Sequence, residues 1–77
     1  MPTVLRAKGY RFFFSADRPE APHIHVEKGE GYAKFWLEPV AVAQSRGFAS
    51  HELTEIARIV ARNRRFLREK WNEHFAG

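Results

Sequence analysis

The segment 22–36, PHIHVEKGEGYAKFW, contains the residues of the chain best suited to chemistry. His23, His25 and Glu27 follow one another at every second position, so on a strand their side chains point to one face. An imidazole titrates near neutral pH and can act as a general acid or a general base. His23, His25 and Glu27 are therefore candidate catalytic residues for metal-independent cleavage of RNA.

Cleavage or binding of RNA also needs groups that hold phosphates and bases. Arg11 and Lys34 are candidate phosphate contacts, because cations stabilise the charge of a phosphate or a phosphorane. Phe13 and Trp36 are candidate stacking surfaces for unpaired bases. Cations interleaved with aromatic residues on a sheet are also typical of protein interfaces, so composition does not separate RNA from a protein partner.

Two other interpretations of the histidines stay open. In the structural one, His23 stacks on Trp36 or bonds a backbone group near the preceding proline. In the metal one, His23 and His25 would need a third protein ligand. Glu27 lies one pleat further along, and the chain has no cysteine. We therefore expect no metal and no cofactor.

Local patterns indicate the elements that position these side chains. VLRAKGYRFFFSA predicts a hairpin around Lys8-Gly9, and HIHVEKGEGYAKFWL predicts a second one that turns at Gly29-Glu30 through a two- or four-residue loop. VAVAQS predicts a weaker fifth strand, with a short helix as the alternative. From Ser50, a good N-cap, apolar residues recur every three or four positions and predict one long helix that includes Trp71 in its buried stripe.

These elements predict an α+β fold: an antiparallel meander of four or five strands packed on one long C-terminal helix. We expect a single domain over residues 1–77, with strands over about 3–48 and the helix over about 50–75. One helix covers one face of the sheet, and alternation assigns eight side chains to the other. We call this second face the open face; its residues are Arg11, Phe13, His23, His25, Glu27, Tyr32, Lys34 and Trp36.

The second hairpin also predicts cross-strand register. A turn at Gly29-Glu30 places Glu27 opposite Tyr32, His25 opposite Lys34, and His23 opposite Trp36.

Composition restricts the class of protein. The chain has 77 residues, with 13 basic against 9 acidic side chains and a net charge of +4, which favours nucleic acid or an acidic protein as partner. It has no apolar run near the roughly 20 residues that span a membrane, and no pattern of a signal peptide. The lack of cysteine fits a reducing compartment. These features predict a cytoplasmic protein without a membrane segment.

Several motifs resemble those of a bacterial family, the domain of unknown function 4160 (DUF4160). They are MPTVLRAKGYRFFFSAD, PHIHVEKGEGYAKFWLEPV, SRGF, ELTEI and WNEHF, which together cover essentially the whole chain. Most characteristic are the Pro22–Val26 segment and the pair Trp71 and Asn72. The resemblance implies a small prokaryotic protein, often encoded beside a second small protein in an arrangement similar to a type II toxin–antitoxin operon.

The sequence and the resemblance together predict a toxin-like component of such a module. It would bind RNA on the open face, and whether it also cleaves the RNA is left undecided. The expected partner is a small cognate antitoxin-like protein, and the open face could also join two copies in a homodimer. The alternative is a non-enzymatic domain that binds protein or nucleic acid.

Overall fold

The computed structural model describes residues 3–15 and 21–75 and has one antiparallel sheet covered by helix. The elements are β1 (Thr3–Ala7), β2 (Tyr10–Phe13), β3 (His23–Lys28), β4 (Gly31–Leu37), β5 (Val40–Arg46), α1 (Ser50–Arg62) and α2 (Arg64–Phe75). The sheet order β1-β2-β3-β4-β5 is a simple meander. The predicted α+β meander is confirmed with five strands, and β5 excludes the short helix considered for VAVAQS.

Both predicted hairpins form, and each turns through two residues. Lys8 and Gly9 have φ angles of 52° and 85°, so both central residues of the first turn are left-handed. In the second turn Gly29 has φ of 58°, and Lys28 pairs with Gly31 across it. The two-residue loop, rather than the four-residue one, therefore sets the register of β3 against β4.

The prediction of one long helix is wrong, because the helix breaks at Asn63. This residue has φ −107° and ψ 13°, and its side-chain amide donates to the carbonyl of Ile59 at 2.8 Å. A straight helix of about 25 residues would be about 37 Å long, whereas the longest strands have seven residues and span only about 24 Å. Asparagine is a poor helix former whose amide competes for backbone carbonyls, so the break occurs there.

The start of α1 also differs slightly from expectation. Ser50 is the first helical residue and Ala49 is the N-cap. The alanine has no side-chain acceptor, and the Glu52 carboxylate instead accepts a hydrogen bond from the Ala49 N–H at 2.8 Å. A carboxylate in the first turn also interacts favourably with the helix dipole.

The hydrophobic core lies between the helices and one face of the sheet. Its buried side chains are Tyr10, Phe12, Phe14, Ile24, Val26, Ala33, Phe35, Leu37, Ile56, Ile59, Val60, Leu67 and Trp71. The strand members alternate along β2, β3 and β4, as period-two patterning requires. The assignment of Trp71 to the core is confirmed. The opposite side of the same strands is the open face.

Each edge strand of the sheet carries an irregularity in its pairing. One lies in β1 between Thr3 and Leu5, and the other lies where Lys34 and Phe35 of β4 pair with Gln44 and Val42. Bulges at sheet edges hinder the addition of another strand.

Tyr10 gives a testable pH dependence of stability. Its side chain is 1% exposed, and its hydroxyl donates to Glu55 Oε1 at 2.8 Å. Burial, and then the hydrogen bond to this carboxylate, raises the pKa of Tyr10 to about 12. The unfolded phenol titrates near 10, so the associated stability is complete below about pH 10 and is lost as pH rises towards about 12.

We expect this loss to be about 2 to 3 kcal/mol, since one pKa unit corresponds to about 1.4 kcal/mol. Urea unfolding between about pH 9 and pH 12 measures it, with Tyr10→Phe as the variant that lacks the titrating group. The difference in unfolding free energy between the wild type and Tyr10→Phe should shrink across this range. Parallel curves would show that the folded phenol titrates like the unfolded one.

Candidate nucleic-acid interface

The register of β3 against β4 brings the predicted face together. His23 pairs with Trp36, His25 with Lys34, and Glu27 with Tyr32, which confirms all three predicted pairs. Strand β2 adds its own two members, because Arg11 pairs with Glu27 and Phe13 with His25. All eight residues of the open face are therefore neighbours on one side of the sheet.

The two histidines are far less exposed to solvent than side chains on an uncovered face of a sheet would be. His23 is 3% exposed and His25 is 6% exposed. Their rings meet edge to face, with centroids 5.1 Å apart. The side chains around them cover both rings, so the imidazoles form an inner layer of the open face rather than its surface.

The contacts of His25 are with aromatic side chains. Its ring stacks on Phe13, with centroids 5.4 Å apart, and a hydrogen bond of 2.8 Å joins its Nδ1 to the hydroxyl of Tyr32. The two rings of His25 and Tyr32 also stack, at 5.9 Å. These contacts position His25 within an aromatic layer that extends over β2, β3 and β4.

His23 makes the backbone hydrogen bond expected of a structural histidine, but it meets Trp36 edge to face and does not stack on it. Its Nδ1–H donates to the carbonyl of Ala21 at 2.9 Å, and its ring meets Trp36 edge to face at 5.9 Å. The ring of Trp71 lies 5.0 Å away, at the end of the sheet where β3 begins. This burial and bonding favour the structural interpretation; catalytic roles for His23, His25 and Glu27 remain predictions.

Glu27 and Arg11 form an ion pair at the margin of the open face. Arg11 Nη1 donates to Glu27 Oε1 at 2.8 Å, while its Nε donates to the hydroxyl of Thr3 at 2.9 Å. The Glu27 carboxylate thus neutralises a cation of the same face. Such a pair is partly exposed and contributes little to stability, but it fixes the position of Arg11 over the face.

The surface of the open face consists of cations lying over aromatic rings. The Arg11 guanidinium is 4.3 Å from the centroid of Phe13, and Lys34 Nζ is 4.8 Å from that of Trp36. A third pair joins Arg46 of β5 to Tyr32, at 5.0 Å. The rings of Phe13, Tyr32 and Trp36 are half-buried. These contacts partly cover the aromatic side chains that the sequence pattern places on the face away from the helices.

Strand β5 contributes two residues that the sequence did not reveal, Arg46 and Gln44. They pair with Tyr32 and Lys34, and so extend the open face by one strand. A cleft of about 230 Å³ lies there, lined by Tyr32, Gln44, Ser45 and Arg46. Alternation within VAVAQSR could have suggested Arg46, but the bulge in β5 interrupts the pattern that would assign its face.

Within residues 3–15 and 21–75, no three histidine, aspartate or glutamate side chains are grouped so that they could hold a metal ion. Neither α1 nor α2, among the residues described, is both long and apolar enough to cross a membrane.

Comparison with known proteins agrees with the motifs of the sequence. A family model described as "Domain of unknown function (DUF4160)" matches residues 9–72 of the 77-residue chain. No curated protein and no solved structure matches the chain. The matched segment includes β2, β3, β4 and β5, and with them the six members of the three cation–ring pairs described above: Arg11, Phe13, Tyr32, Lys34, Trp36 and Arg46. Because this match spans most of the sequence, the chain belongs to the DUF4160 family.

Proposed function

We propose that this protein is the toxin-like component of a two-protein bacterial module, that it acts in the cytoplasm, and that it binds single-stranded RNA on the open face. The observation that carries the RNA site is the set of three cation–ring pairs on one side of the sheet: Arg11 with Phe13 on β2, Lys34 with Trp36 on β4, and Arg46 of β5 with Tyr32 of β4. The family resemblance supports the toxin-like role.

Each cation–ring pair can exchange its internal contact for two contacts with a nucleotide. An exposed cation–π contact contributes about 0.5 to 1 kcal/mol, whereas a base stacked on an aromatic side chain contributes about 1 to 3 kcal/mol. A base that takes the place of Lys34 on Trp36 would therefore be favoured. The displaced ammonium would stay close enough to pair with the phosphate beside that base.

Charge on the open face favours an anionic ligand over a neutral one. Arg6 pairs with Arg11 across β1 and β2 and is exposed, so it adds a further cation at the margin. The described cations of this face are then Arg6, Arg11, Lys34 and Arg46. Cations along a groove that tracks a nucleic-acid backbone supply most of its affinity.

Cleavage is a more demanding extension of this proposal. A general acid and base must reach the 2′-hydroxyl and the leaving oxygen within hydrogen-bond distance. His23 and His25, at 3% and 6% exposure, present little surface to a bound strand. The proposed function is therefore binding, and cleavage would require the aromatic layer to open over these imidazoles.

The Lys34→Gln/Arg46→Gln variant tests RNA binding. We expect its dissociation constant for a fluorescein-labelled oligouridylate to rise roughly 10- to 100-fold, because two phosphate contacts are removed. The slope of log K against log salt concentration should fall by about 1 to 1.5, since each contact with a single strand contributes about 0.7. Fluorescence anisotropy at several salt concentrations measures both quantities.

The matched control is Arg58→Gln/Arg62→Gln, which removes two exposed charges from α1 and none from the open face. Equal affinities and slopes for the two variants would contradict the assignment of RNA to this face. The same proteins, expressed in bacteria at equal soluble level, test the toxin-like role. Growth arrest by the wild type that Lys34→Gln/Arg46→Gln relieves would support it, and growth without arrest would remove it.

A further inference from the structure

A second group of cations lies outside the open face, at the start of α2. Arg64, Arg65 and Arg68 line a cleft of about 310 Å³ together with Glu38 and Glu69. The three arginines and two glutamates leave one net positive charge in this cleft. That charge matches the single negative charge of a phosphodiester.

The spacing of these arginines is unfavourable for the helix itself. Arg64 and Arg65 occupy the first turn of α2, which contains no acidic residue. Cations at a helix N-terminus oppose the helix dipole. Arg68 is four residues from Arg64 and three from Arg65, and like charges at these spacings repel each other on a helix surface. A bound anion would remove both costs.

Arg68 also has a hydrogen-bond donor left over. Its Nη1 donates to Glu38 Oε1, but its buried Nε has no hydrogen-bond partner in the described part of the chain. A buried donor without an acceptor costs free energy. The Nε is covered, but the Arg68 side chain is 37% exposed, so a small shift of the guanidinium would let an anion in the cleft supply the acceptor through two parallel N–H groups.

The cleft adjoins one end of the open face. Glu38, which holds Arg68, is two residues beyond Trp36, and β4 ends between them at Leu37. Helix α2 reaches the same end of the sheet, because its Trp71 contacts His23, the first residue of β3. A strand that stacks on Trp36 could therefore continue over this end of the sheet towards Arg68.

We infer that the cleft of Arg64, Arg65 and Arg68 binds a backbone phosphate of the same RNA that stacks on the open face. This inference rests on the proposed function and extends it with a second anchor. The phosphate would interact with Arg64 and Arg65 at the mouth of the cleft and with Arg68 inside it. Glu38 would keep one edge of the Arg68 guanidinium in place.

The test is the Arg64→Gln/Arg65→Gln variant, bound to the fluorescein-labelled oligouridylate. Both residues are exposed, so the variant should fold, and the loss of like-charge repulsion should leave its Tm equal to or above that of the wild type. We expect the dissociation constant to rise about tenfold and the salt slope to fall by about 1. Arg58→Gln/Arg62→Gln removes the same charge from a different cleft and should change affinity much less.

Each outcome separates this inference from the proposed function. If Lys34→Gln/Arg46→Gln weakens binding while Arg64→Gln/Arg65→Gln matches the control, the cleft is not an RNA contact and the open face stands. If only Arg64→Gln/Arg65→Gln weakens binding, the open face is overturned, and with it the shared RNA path, and the cleft is an RNA contact by itself. The Tm measured with pyrophosphate and without RNA tests whether the cleft binds a free anion instead. A rise in Tm that Arg64→Gln/Arg65→Gln lacks, without any effect on RNA affinity, would assign the cleft to a free phosphate and overturn the RNA contact.

Discussion

The His23→Ala/His25→Ala variant should lose about 3 to 5 kcal/mol of unfolding free energy, rather than only an activity. Each substitution empties a buried ring position and removes a hydrogen bond, to Ala21 in one case and to Tyr32 in the other. Either loss is expected to cost about 2 kcal/mol. The rings lie 5.1 Å apart, so the two losses are coupled and need not add exactly.

Urea unfolding followed by far-UV circular dichroism measures this effect. His51→Ala is the matched control, because His51 is exposed in the first turn of α1 and should tolerate the change within about 0.5 kcal/mol. His23→Asn keeps a donor near the position of Nδ1 and should retain part of the stability that His23→Ala loses. A double alanine variant as stable as the wild type, yet unable to cleave or bind RNA, would instead favour a catalytic pair.

This prediction changes how a growth assay of the double variant is interpreted. A globular chain of 77 residues has a total stability of about 4 to 12 kcal/mol, so a loss of 3 to 5 kcal/mol can unfold much of it. Relief of growth arrest by His23→Ala/His25→Ala would then report loss of the folded protein. Lys34→Gln/Arg46→Gln is the more informative variant, because its side chains lie at the surface of the open face and outside the buried core.

The composition of the open face could be predicted from the sequence because two strong local rules agree. A two-residue turn at Gly29-Glu30 fixes which residues of β3 and β4 are opposite, and alternation fixes their side of the sheet. The pairs Glu27–Tyr32, His25–Lys34 and His23–Trp36 follow directly and are confirmed. Such rules act between neighbours in sequence, and the long hairpin requires no knowledge of the rest of the fold.

Burial on that face could not be predicted in the same way. The solvent exposure of the His25 ring depends on where the rings of Phe13 and Tyr32 lie, and these two residues belong to other strands. The third cation–ring pair depends on the bulge in β5, which sets Arg46 opposite Tyr32. Each of these results from tertiary packing, which periodicity does not encode.

The helix break at Asn63 has a similar origin. The apolar stripe of Val60 and Leu67 continues across it, so the pattern alone predicts one helix. The short sheet and the competition of the asparagine amide for the Ile59 carbonyl decide otherwise. The break has a functional consequence, since it begins a new helix with Arg64 and Arg65 in its first turn.

Trp71→Ala should cost about 3 to 5 kcal/mol of unfolding free energy, comparable to the loss from both histidines. Trp71 is 7% exposed, and its ring centroid lies 4.1 Å from that of Phe75, 5.6 Å from that of Phe14 and 5.0 Å from that of His23. It therefore joins α2 to the end of the sheet where β2 stops and β3 starts. The substitution would leave a large cavity there, because the strands around it cannot collapse into the space.

The matched control is Phe66→Ala on the same helix, whose side chain is 39% exposed and should cost about 1 kcal/mol or less. Chemical denaturation of Trp71→Ala, Trp71→Phe and Phe66→Ala compares the three. Trp71→Phe should recover part of the loss, since it refills much of the cavity. If Trp71→Ala were no worse than Phe66→Ala, α2 would not be anchored to the sheet through this ring. The arginine cleft at the start of α2 would then lack the fixed position beside Trp36 that a continuous RNA path requires.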